Sequence, residues 1–299
     1  MALASPQMQY VFPNFQGVLL QEPLRTRRQY PGLFNVFGIG SRHVFQNYWT
    51  STGGLAEVIS VLPTKDRADL LVGKYFEAID PLDPIIWRPD FHRDYENFWN
   101  LSVEEKQQYD AARVSLYFII YAIGTQLMES CPPEEREHTA EFYLSASHQS
   151  LCIFSYLNCF SISSIQTMVL ICYFLVSNNH VSDPWTFSGI THRQAYGLGL
   201  NRDPDVVTLE LPYQGKQQRA RLWQAIMFQD TSLSLFLGLP TSTLHHDIPK
   251  SYLNCTSRLQ DPILASHSGG SLSLELASPE SNNHDCAFFQ AMWEYAAFV

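Results

Sequence analysis

At 299 residues, 45% hydrophobic and 13% aromatic, the chain has ample apolar material for one large core or two ordinary ones, which excludes a disordered tail. Its net charge of -10, with a sequence pI near 5.4, would repel phosphate and speaks against unaided nucleic-acid binding. Six scattered cysteines (Cys131, Cys152, Cys159, Cys172, Cys255 and Cys286) include no CxxC pair, so their spacing rules out a zinc cluster built on paired thiolates.

Residues 1–61 read as an irregular segment or linker that wraps a domain, because Pro13, Pro23, Pro31 and several glycines break any period while aromatics stay frequent. Arg25-Thr26-Arg27-Arg28 reads as a solvated loop rather than an import signal. The opening Met1-Ala2-Leu3-Ala4-Ser5-Pro6 has neither the basic start nor the apolar centre of a secretory signal. The longest apolar run, residues 168–176, is far short of the ~20 residues a membrane span needs. A soluble, intracellular protein with reduced thiols is expected.

From Thr64, a candidate N-cap, Ala68, Leu71, Val72, Tyr75, Phe76 and Ile79 recur on one helical face until Asp80-Pro81 stops the pattern. An aromatic-rich connection follows, with Pro84, Trp87, Pro89, Phe91, Tyr95, Phe98 and Trp99. Ser102-x-x-Glu105 predicts a capping box opening a helix through Tyr109, Val114 and Ile119. Pro132-Pro133, with two acids behind it, opens another. Three helices then fill Ser164 to Pro240. The first runs into Ser177-Asn178-Asn179. The second starts at Asp183-Pro184 and stops at Gly199, and the third carries Arg219 to Leu237. Residues 266–285 read as a Ser/Gly/Asn/Pro loop and 286–299 as helix again. An apolar face ending at Val299 suggests a truncated end. No strand pattern of useful length occurs, so the fold class is all-α, a multi-helix domain of irregularly packed antiparallel helices.

Catalytic chemistry is not legible. His245-His246-Asp247 is the one dense group of metal-ligand types, but adjacent residues diverge and nothing nearby completes a site. His138, His148, His180 and His192 stand alone, with no nucleophile elbow. Gly38-Ile39-Gly40 follows no strand, and Gly197-Leu198-Gly199 closes a helix, so neither cradles phosphate. Asp230 falls on the apolar side of its helix and must be paired or hydrogen-bonded there. Arg193 or Arg202 is the expected partner. Trp185, Phe187, Trp223 and Phe228 read as core.

Three pieces of text carry a resemblance. Leu62-Pro63 through Tyr75-Phe76 leads to Pro81, Pro84-Ile85, Pro89-Asp90-Phe91 and Phe98-Trp99. Residues 167–175 and Trp185-Thr186 lead to Ala195-Tyr196-Gly197-Leu198-Gly199-Leu200-Asn201-Arg202-Asp203-Pro204. Arg219-Ala220-Arg221-Leu222-Trp223 leads to Asp230, Ser234 and Gly238-Leu239-Pro240. In this order they resemble the middle homology region, or regulatory domain, of fungal zinc-cluster transcription factors, over residues 62–299. The resemblance marks Trp185, Arg202, Asp203, Pro204, Arg219, Leu222, Trp223 and Asp230 as a structural motif. It departs from the family at Gly238-Leu239-Pro240, where Gly-Arg-Pro is common, and in carrying no zinc cluster. The resemblance implies a nuclear, non-enzymatic regulator of transcription. DNA and zinc would be bound only by an N-terminal cluster absent from this sequence. A small-molecule effector, other transcription factors or self-association would be its partners, and no membrane. The alternatives are a stand-alone scaffold or antagonist of related factors, and a helical small-molecule binder that would depend on Trp185 or His192.

Overall fold

The computed structural model describes residues 44–242. These form ten helices and, among the described residues, no strand, as the sequence predicts. The basic run at 25–28, Gly38 to Gly40, His245 to Asp247, Cys255, Cys286, the 266–285 loop and the 286–299 helix lie outside the described residues.

Helix α1 (Gly54–Ile59) falls inside the segment expected to be irregular. Its Leu55, Val58 and Ile59 are buried, and six residues make too little text for a period to show. The chain just before it also packs. Phe45 stacks on His148 at 3.7 Å, and the Trp49 indole donates to Ser145 Oγ at 2.8 Å.

Helix α2 (Lys65–Ala78) follows an extended Thr64 and buries Ala68, Leu71, Val72, Tyr75 and Phe76, the face expected of it. Helix α3 (Arg88–Asn100) replaces the expected aromatic connection. Pro89 sits in its first turn, where a missing N–H costs nothing, and Phe91, Tyr95 and Phe98 form one buried line. The charged residues between them hid that period. Asp80, 1% exposed, is paired with Arg88 at 2.6 Å and ties the end of α2 to the start of α3.

The capping box at Ser102 is real: Glu105 N–H donates to Ser102 Oγ at 3.2 Å, and Ser102 N–H to Glu105 Oε2 at 2.8 Å. It opens only α4 (Val103–Gln107), not the long helix expected from it. A second cap, Asp110, accepts Ala112 N–H at 3.0 Å and starts α5 (Ala111–Gln126).

Helix α5 is buried on all sides. It packs against α2, against α6 (Pro133–Ile153) and against α7 (Ile162–Ser177). Small residues let these helices close. Ser147 Oγ donates to Ser115 O at 2.8 Å, and the Ser115 and Thr167 hydroxyls lie 3.0 Å apart. Helix α8 (Ser182–Gly197) returns along α7 after a four-residue link. It is followed by the short α9 (Pro204–Val207) and by α10 (Tyr213–Leu237). Helix α8 begins just before Asp183-Pro184, so Pro184 lies in the first turn rather than at its first position, and Asp183 is not the cap. Helix α10 begins at Tyr213 rather than Arg219, because its first turns are polar. No helix of the described residues is long and apolar enough to cross a membrane.

Candidate functional site

The eight motif residues gather where α8 turns into α9 and where α8 packs against α10. Helix α8 ends in a Schellman motif. Gly199 has φ +66°, its N–H returns to Tyr196 O at 3.0 Å, and Leu200 N–H reaches Ala195 O at 3.0 Å. Glycine is required here because an L side chain rarely adopts this φ. Asp203 then caps α9, its Oδ1 accepting Asp205 N–H at 2.9 Å, and Pro204 occupies the first helical position. Arg202 is exposed in the turn, while Leu222 is fully buried.

Trp185, Trp223 and Asp230 meet across the seam. The Trp185 indole on α8 donates to Ser234 Oγ on α10 at 3.2 Å. Trp223, also fully buried, lies 5.2 Å from the His192 ring and 5.4 Å from the Tyr196 ring. Asp230, 1% exposed, accepts Ser242 backbone N–H at 2.8 Å. That corrects the expected ion pair: neither Arg193 nor Arg202 bridges to Asp230, and Arg193 donates instead to Gly189 O at 3.3 Å. A backbone amide donating to a buried carboxylate oxygen offsets part of its desolvation.

The sequence shows His192 as an isolated histidine, given a role only under the small-molecule-binding alternative. It is 3% exposed, and neither ring nitrogen has a hydrogen-bond partner. One turn earlier the buried Ser188 hydroxyl is also unpartnered, as is Trp223 Nε1 on the facing helix. Burial pushes the His192 pKa below its ordinary value, the Asp230 carboxylate opposes that shift, and the Arg193 guanidinium adds to it. A neutral imidazole in this seam presents one donor and one acceptor. The signal that could have found it is the i, i+4 line Ser188, His192, Tyr196 along an otherwise apolar face.

Among the described residues no three His, Cys, Asp or Glu side chains converge on a point. Cys172 is buried in α7 against Pro184 O at 3.6 Å, and burial pushes its thiol well above the usual range. Cys159 is exposed between α6 and α7.

This seam and its turn lie within residues 72–291, which match the family model of the fungal specific transcription factor domain. The chain belongs to that family. It is similar to the Zn(2)-C6 fungal-type transcription factor mpsB of Macrophomina phaseolina, 29% identical over 192 residues, covering 61% of this chain and 25% of that protein. It is similar also to transcription factor phm2 of Pyrenochaetopsis, 28% identical over 207 residues, covering 64% of this chain and 26% of that one. The equisetin cluster transcription factor eqxF of Fusarium heterosporum is 25% identical over 203 residues, covering 63% of this chain and 28% of that one. The chain thus spans about a quarter of the curated relatives it matches. No solved structure matches it.

Proposed function

We propose that this chain is the regulatory domain of a zinc-cluster-type factor and takes part in regulating RNA polymerase II transcription in the nucleus. The observation that carries this reading is the family match over residues 72–291, the stretch that holds the α8–α10 seam. On this reading DNA is contacted, and zinc bound, by a cysteine cluster of the kind mpsB is named for, outside these 299 residues. The acidic balance and unpaired cysteines agree with that division of labour. The domain itself is non-catalytic, as the transcription-factor relatives suggest. It acts by restraining or releasing the activator in response to a small-molecule effector or to other factors, and the eight motif residues hold its frame. The relative named for the equisetin cluster supports a parent that controls a cluster of that kind.

The test is a fusion of the full chain to a heterologous DNA-binding domain, with a reporter behind its site. A reporter level that departs from that of the DNA-binding domain alone, with the fusion in the nucleus, is expected. An unchanged level at equal expression overturns the reading.

A further inference from the structure

Between α8 and α10 the chain turns apolar side chains outward. Val206 is 73% exposed, Leu209 76% and Leu211 40%, the densest such run among the described residues. The segment that carries them is held in place. Asp205 bridges to Lys216 on α10 at 2.8 Å, the Thr208 hydroxyl donates to Pro204 O at 2.8 Å, and Leu211 N–H donates to Thr208 O at 3.1 Å. Val207 lies against the turn after α8, where a Cβ added to Gly199 would meet its Cγ1 at 3.3 Å. A single exposed leucine is ordinary on a protein surface. Three large apolar side chains on one fixed knuckle form a contact surface, and binding there needs little further ordering.

Two open charges accompany them. Arg202 precedes the apolar residues, and Glu210 lies between Leu209 and Leu211. Both are exposed, and neither forms an ion pair with a described residue. A two-fold contact suits that pattern, because residue i of one copy then meets residue j of the other, and j meets i.

We propose that this knuckle is where two copies of the chain meet. Val206, Leu209 and Leu211 pack against their counterparts, and Arg202 of each copy faces Glu210 of the other. A second copy fits better than an unrelated partner because the surface carries both halves of its own charge pairing. A strongly acidic or strongly basic partner would set like charges against one of the two. The inference concerns the assembly of the chain itself and rests on no part of the transcriptional reading, so its failure leaves that reading standing.

The experiment is sedimentation velocity of the full chain over a concentration series. The buffer holds about 0.15 M salt, which screens the net charge of -10 beyond about 8 Å. A monomer–dimer equilibrium is expected. Leu209→Glu is expected to weaken it about tenfold or more, as are Arg202→Glu and Glu210→Arg, each of which sets like charges against each other across the two-fold. An equimolar mixture of Arg202→Glu and Glu210→Arg is expected to recover dimers, because both opposite-charge pairs form again in the mixed pair. All three positions are exposed, so each variant is expected to keep the wild-type circular dichroism spectrum. A chain that stays monomeric throughout the series overturns the proposal. A dimer unmoved by Leu209→Glu puts the contact on another surface, and a mixture that associates no better than either variant alone removes the two-fold pairing; either result overturns it too.

Discussion

The approach of α2 to α5 is set at Gly124, and one methyl group tests it. A Cβ at that position would stand 2.3 Å from Leu71 O, 2.9 Å from its carbonyl carbon and 3.0 Å from its Cα. Ordinary non-bonded contacts between heavy atoms lie at roughly 3.5–4.0 Å, so one helix must retreat by about 1 Å. The obstructing atoms are backbone, which has no rotamer to escape into. The retreat would loosen Leu71, Val72 and Tyr75, all buried in α2. Overpacking of this kind costs about 1–3 kcal/mol or more, against a helix-propensity gain of about 1 kcal/mol from Gly to Ala. Gly73 is the control. It lies on the exposed side of α2, and an added Cβ there meets nothing within 4 Å. Gly73→Ala should therefore stabilise by roughly 0.5–1 kcal/mol, so the two variants should differ by about 1–3 kcal/mol, the overpacking cost alone. Urea unfolding followed by far-UV circular dichroism measures both, through midpoint shifts at a common slope. Gly124→Ala as stable as Gly73→Ala would refute the close approach, and with it the reason for a glycine in this buried helix.

Two titrating groups give opposite pH signatures. Burial, then the neighbouring Asp80 carboxylate, push Asp83 up to about 7, so its contribution is fully present below the unfolded value of 3.8 and is lost as pH rises through about 7. Asp83→Asn should therefore gain on the wild type in thermal melts as pH rises from about 5 to about 8, and a constant difference would count against the burial of that carboxyl. His192 is depressed below its ordinary 6.5, so the folded state loses stability as pH falls from there. His192→Phe should gain most on the acid side, and a gain only on the alkaline side would contradict a neutral, buried imidazole. Trp223→Ala, emptying the largest fully buried side chain, should cost about 3–5 kcal/mol by denaturant unfolding. A cost under about 1 kcal/mol would mean the seam closes without it.

What could be read from the sequence was local. Thr64, Ser102-x-x-Glu105 and Pro132-Pro133 act within a few residues of themselves, and each marks a real start, whereas Asp203-Pro204, read only as part of a turn, also starts a short helix. How far a helix then runs depends on its neighbours, which is why the box at Ser102 opens five residues rather than a long helix. Helix α3 stayed hidden because its buried aromatics are interleaved with His92, Arg93, Asp94 and Glu96, whose polarity masks the apolar period. The Asp230 partner was misjudged because the nearest cations along the chain were visible, and the backbone amide of Ser242 was not.

The eight motif positions explain why family membership is easier to read than chemistry. Leu222 and Trp223 fill the core, Asp203 and Pro204 start a helix, Trp185 bonds across the seam and Asp230 takes a backbone amide. Those are uses of a fold, and they would serve any function built on it. Arg219 is the exception, because folding uses one of its N–H groups, on Leu198 O at the end of α8, and no carboxylate of the described residues pairs with its charge. Chemistry particular to this chain is therefore best sought at the edge of the motif, where one packing contact leaves a cation unspent.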